Sequence, residues 1–132
     1  MSNIEITGST PRLTRQEVMT FARKVLIATG EEIGEVSIAF VNDRTMRGLN
    51  RKFRGKNKTT DVLTFPGEDA CEIVISVDRA KRQAAAEKHS LPTEVRYLLL
   101  HGILHGLGYD HETDNGEMNA LELEVRAKVG LA

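Results

Sequence analysis

The stretch DVLTFPGEDACEIVISVD, residues 61–78, decides the fold. Two apolar, β-branched runs, 61–66 and 71–78, flank a short turn-rich segment and so predict an antiparallel pair, with Pro66 ending the first strand. Upstream, EVSIAFVN at 35–42 reads as a further strand, and IEIT at 4–7 alternates like one. Helical patterns lie between and after them. Thr14 with Glu17 forms a capping box, and Val18, Phe21, Ala22, Val25 and Leu26 keep the i, i+3, i+4 rhythm until Gly30 stops it. Asp43 is expected to cap a second helix that turns Met46, Leu49 and Phe53 inward and its basic residues outward. Asp78 is expected to cap an alanine-rich third, and Leu91-Pro92-Thr93-Glu94 opens a fourth with proline in its first turn. The segment EMNALELEVRAKV, 117–129, forms the last, burying Met118, Leu121 and Val125 before Gly130. Strands and helices mix without strict alternation. This predicts the α+β class: a small mixed four-stranded sheet packed with about five helices, as one domain over residues 1–132.

With 40% hydrophobic and 28% charged residues, the composition is that of a globular protein, and no apolar run approaches the roughly 20 residues of a membrane helix. The N-terminus lacks a basic start followed by an apolar region, so no signal peptide is expected, and the protein is read as cytoplasmic and free of membrane. A single cysteine, Cys71, cannot form an internal disulfide, which fits a reducing compartment; opening an apolar strand, it reads as a small buried hydrophobe. Ser76 and Ser90 sit in no nucleophile motif, and no dinucleotide or P-loop glycine pattern occurs.

Net charge is −1, but it is unevenly spread. Arg44, Arg47, Arg51, Lys52, Arg54, Lys56 and Lys58 place seven positive charges and no acid in residues 44–58, while the remaining 11 basic and 19 acidic residues give −8. Such segregation suits a face that meets an anion, although a solvated helix face followed by a basic loop produces the same pattern.

The fourth helix carries HGILHGLGYDH, residues 101–111. Each glycine costs a helix interior roughly 1 kcal/mol against alanine, so this stretch is not selected for helix stability. His101 and His105, four apart, share a helix face with Cβ atoms about 6 Å apart, and two imidazoles can serve one ion. Gly108 is expected to end the helix and return the chain so that His111 arrives as third ligand, placing a metal cleft between the histidine helix and the following loop. Gly102 and Gly106 are expected to clear a strip for close approach of a backbone or a substrate. His89 fits no such set and reads as a surface residue near a helix end.

The same frame, HxxxHxxGxxH, occurs in metzincin peptidases, where glutamate follows the first histidine as general base. Here Gly102 stands in that place, which argues against proteolysis. Three neutral imidazoles leave the double charge of an ion uncancelled, so an open position favours an anion such as phosphate. Asp110, Glu112 and Asp114 are the nearby candidates for a fourth ligand that would close the site and make the metal structural. Zinc and nickel both accept imidazole.

Taken with FRGKNKTTDVLTFP at 53–66 and EIVIS at 72–76, the histidine motif closely resembles that of the YbeY family of bacterial endoribonucleases, over most of the chain. The resemblance implies a zinc-dependent, single-strand-specific RNA cut, maturation of the 3′ end of small-subunit rRNA, and ribosome quality control. It places the zinc ligands on His101, His105 and His111, the active-site arginine on Arg54, and a mixed sheet around a metal cleft. RNA contacts are expected from Arg47, Arg51, Lys52, Lys56 and Lys58, with rRNA and the small ribosomal subunit as partners, and ribosomal proteins or an assembly GTPase beside them. The alternative activity is a non-catalytic ribosome-assembly factor that binds RNA and holds a structural metal. With no tryptophan, two tyrosines and four phenylalanines, the chain is expected to stack few bases. Two positions depart from the family pattern: Gly106, where leucine is more frequent, and Cys71, where glycine is usual before an acid. Gly106 is expected to loosen the metal-bearing helix.

Overall fold

A computed structural model describes residues 2–109 and 115–131. The central hairpin joins β3 (Val62–Gly67) to β4 (Ala70–Ser76) in antiparallel register, with Val62 opposite Ile75 and Pro66 opposite Cys71. Pro66 therefore lies inside β3 rather than ending it. Because β3 is an edge strand, the missing N–H is cheap there. On the other side of β4 run β2 (Glu35–Val41) and then β1 (Asn3–Thr7), both parallel, giving the order β1-β2-β4-β3 in a mixed four-stranded sheet.

Among the described residues five helices cover it: α1 (Arg15–Thr29), α2 (Asp43–Arg54), α3 (Val77–Glu87), α4 (Leu91–Gly106) and α5 (Glu117–Lys128). The Thr14–Glu17 capping box is present, and Gly30 ends α1 in the left-handed region at φ 71°. Two other expected caps move. Asn42 caps α2 by accepting from the Thr45 N–H, and Ser76 caps α3 by accepting from that of Arg79. Both are extended, Ser76 as the last residue of β4 and Asn42 as the single residue between β2 and α2, and the acids after them fall inside the first turn. Asp78 instead accepts from the Asp43 N–H at 2.9 Å.

The sheet divides the core in two. On one face Ile4, Ile6, Val36, Ile38, Cys71, Ile73 and Ile75 pack with α1 and α4, whose Val25, Leu99, Ile103 and Leu104 are almost fully buried. On the other, Leu63 and Val74 meet Met46 of α2. The α2 stripe departs from expectation: Leu49 is half-buried, Asn50 takes the buried place one turn after Met46, and Phe53 is 56% exposed. Phe53 lies at the last turn of α2, over the edge strand, where its ring packs edge-to-face on Phe65 at 5.2 Å between centroids. In α5, Met118 and Val125 are buried and Leu121 half-buried. Among the described residues no helix is long and apolar enough to cross a membrane.

Candidate active site

The helix that carries His101 and His105 starts where Ser90 caps it, accepting from the Thr93 N–H at 3.2 Å, with Pro92 in the first turn. Its glycines face the sheet. A Cβ on Gly102 would stand 2.8 Å from Ile73 Cγ2, and one on Gly106 would stand 2.7 Å from Cys71 Sγ. The close approach they permit is therefore by sheet side chains and not by a substrate, which corrects the expectation from sequence. Thr64 uses the space to donate to the Gly102 carbonyl at 3.3 Å. The two departures from the family pattern touch each other: the side chain gained at Cys71 fills the room left at Gly106. Gly106 thus lets the helix seat closely on the strand. Burial pushes the Cys71 thiol up to about 11, so it stays protonated, as a packed core residue should.

With the glycines inward, both histidines come to the opposite rim, half-buried, their rings 4.6 Å apart and at 72°. The Nε2 atoms lie 3.0 Å from each other, so their lone pairs can serve one ion. His101 turns its other nitrogen, Nδ1, to Glu122 Oε1 of α5 at 3.3 Å. An ionised carboxylate only accepts, so this contact places the proton on Nδ1 and leaves Nε2 as the ligand atom. Glu122 escaped the sequence reading. Its signal was there: an acid four residues after buried Met118, at the helical spacing of the inward stripe.

Gly108, at φ 103°, makes the expected turn beyond α4. His111, with Asp110, Glu112 and Asp114, lies outside the described residues.

The facing wall is built by β3 and the end of α2. Arg54 is the last residue of that helix, and Gly55 caps it in the left-handed region at φ 68°, its N–H donating to the Arg51 carbonyl at 3.1 Å. The buried Asn50 then holds the basic loop: its Nδ2 donates to the Lys58 carbonyl at 2.8 Å, and its own carbonyl accepts from the Lys56 N–H at 3.3 Å. Arg54, His101, His105, Phe53 and the strand residues 61–66 line one cleft of about 680 Å³. Arg54 has no ion-pair partner among the described residues. Arg47, Arg51, Lys52, Lys56 and Lys58 are exposed around this wall and do not line the cleft. Another groove, about 600 Å³ beside Thr14, Arg96 and Leu131, contains no histidine and no aligned catalytic pair.

Gly102 removes the base that a metallopeptidase would need at that position, and the atoms nearest a Cβ built on it belong to Ile73, Thr64 and Val62 of the sheet. A carboxylate there would have no room.

His89 also departs from expectation. Its side chain is 24% exposed and its Nε2 lies 2.5 Å from Glu94, a carboxylate 4% exposed as a residue, with Glu87 at 3.6 Å. These three ligand atoms lie within 4.8 Å of one another, close enough to share a cation, and the hydrogen bond from His89 satisfies the buried Glu94. The sequence hid this because Glu94 sits in a first helical turn, where an acid is ordinary.

Known proteins share this arrangement of chain. The family model described as Endoribonuclease YbeY matches residues 3–130. A protein of that name from Nautilia profundicola is 48% identical over 102 residues, 74% of this chain and 73% of its own. Those from Koribacter versatilis and Geobacillus kaustophilus are 44% and 36% identical, covering 90% and 98% of this chain and 80% and 97% of theirs. The solution structure of TM1509 from Thermotoga maritima superposes with a TM-score of 0.67 at 28% identity, over 96% of this chain and 89% of that one. A histidine pair and an arginine meeting across one sheet edge, in a sequence matched almost end to end, place this chain in the YbeY family.

Proposed function

We propose that this chain is a zinc-dependent, single-strand-specific endoribonuclease that matures the 3′ end of small-subunit rRNA in the cytoplasm and takes part in ribosome quality control. The observation that carries the reading is the convergence of His101, His105 and Arg54 on one cleft beside a basic surface. The histidine Nε2 atoms, with His111 as third donor, would hold the ion. When bound, zinc supplies Lewis acidity to a phosphodiester. Arg54, planar and always charged, grips a phosphate by its fork and stabilises the charge that develops in transfer. Glu122 holds the His101 ring in the ligating tautomer. Lys56, Lys58 and the α2 arginines neutralise flanking phosphates and keep the RNA in register without reading its sequence.

The test is cleavage of a single-stranded RNA carrying the small-subunit 3′ region by highly purified protein, with and without a chelator. Cleavage should require the metal and disappear in His105→Ala together with stoichiometric zinc. Full cleavage by a zinc-free His105→Ala protein would sink the proposal. Tight zinc and RNA binding with no turnover would support a ribosome-assembly factor with a structural metal instead. The ends of the products separate attack by water from attack by the RNA 2′-hydroxyl.

A further inference from the structure

Phe53 is an apolar ring more than half exposed, in the wall of the cleft that Arg54 and the two histidines also line. It is braced from below. Phe65 of β3 meets it at 69° between ring planes, which fixes its attitude without covering it, and the Lys52 ammonium lies 5.3 Å from its centroid. Arg54 follows in sequence and lines the same cleft. A rigid aromatic face beside phosphate-binding cations is the arrangement by which proteins hold unpaired nucleotides, the ring taking the base and the cation the backbone. An apolar peptide would gain nothing from the cations, and a duplex offers no free base face to the ring.

From this geometry we infer that Phe53, supported by Phe65, is a stacking platform for one unpaired nucleobase of the RNA substrate, next to the phosphate held by Arg54. The inference rests on the endoribonuclease reading and deepens it, because it gives a physical source for single-strand preference that charge alone does not supply. It also revises the sequence-based expectation of little stacking. Few aromatics are needed when Phe53, Phe65 and Tyr109 all line the cleft.

The experiment uses zinc-loaded protein and a short single-stranded RNA, intact or with a single abasic site walked along it. Phe53→Leu and Phe53→Ala should raise KM by roughly 5- to 150-fold with a much smaller change in kcat, and Phe53→Tyr should restore it. Zinc content should be unchanged, and Tm should fall by no more than the loss of one aromatic pair allows. At one position the abasic site should weaken binding by wild type and not by Phe53→Leu, whereas elsewhere both proteins respond alike. Wild-type KM in Phe53→Leu, or an abasic effect equal in both proteins at every position, overturns the platform while leaving the nuclease intact. Failure of the wild-type protein to bind or cut the RNA overturns both readings.

Discussion

The two walls of the cleft are fastened by different physics. The histidine wall is pressed into the main core: Leu99, Ile103 and Leu104 bury the inner face of α4, and the glycine strip brings it against β3 and β4. The arginine wall rests on the smaller apolar cluster of Met46, Leu63 and Val74, and polar residues fasten the loop that extends from it. Asn50 ties down the basic loop, and Asp43 gathers the loop's far end and two elements by accepting from Thr59 Oγ1 at 3.1 Å and Ser76 Oγ at 2.7 Å while pairing with Arg82 at 2.7 Å. Apolar packing gives position to within fractions of an ångström, which ligands to an ion require. Charges that meet a flexible polyanion need less accuracy and more exposure, and the second wall supplies that.

Four measurements would break or sharpen this contrast. Arg54→Ala should retain zinc and Tm yet lose about 100- to 1,000-fold in kcat, the loss typical of removing one charge-stabilising donor. Unchanged turnover would remove Arg54 from the chemistry. Glu122→Ala should weaken zinc binding about 10- to 100-fold by chelator competition, with Glu122→Gln less affected because its amide oxygen still accepts. Equal zinc affinity in all three proteins would show that the His101 tautomer is set elsewhere.

Gly106→Ala tests the packed wall. Alanine gains about 1 kcal/mol in helix propensity, but its Cβ meets both Sγ and Cβ of Cys71, and such overpacking costs about 1–3 kcal/mol. Denaturant unfolding should show a net loss, recovered in part when Cys71→Gly is added; strict additivity of the two changes would mean that the contact carries no energy.

The smallest effect belongs to the polar wall. The hydrogen bond and charge of Arg82, with those from Ser76 and Thr59, hold the Asp43 carboxyl below its ordinary value of 3.8 against the opposing pull of desolvation. A lowered folded value means that this stability is present above about pH 4 and is lost as pH falls through the folded value. Asp43→Asn should therefore be less stable than wild type by under about 1 kcal/mol at pH 7, since the Arg82 partner is 53% exposed. The gap should close below about pH 4. A gap independent of pH would assign the difference to packing.

The parts of this molecule that were legible in sequence are those set by neighbours along the chain. The Thr14–Glu17 box, the histidine spacing and the hairpin from 61 to 78 each depend on residues a few positions apart. The parts that were not depend on what faces what. Nothing local reveals that Cys71 fills the space over Gly106, that Glu122 of α5 reaches His101, or that α2 carries Phe53 out over the sheet edge. The caps of α2 and α3 failed for a different reason: two polar residues one or two positions apart both suit an N-cap, and the end of the preceding strand chooses between them.

An open sheet margin tends to recruit a second chain, and β3 is such a margin. Pro66 removes one of its donors, and the cations at the end of α2 stand beside it. Arg54, which lines the cleft with this strand, is the kind of charge by which sheet margins are kept from pairing. With a neutral residue in its place, Pro66 would be left as the guard of that margin.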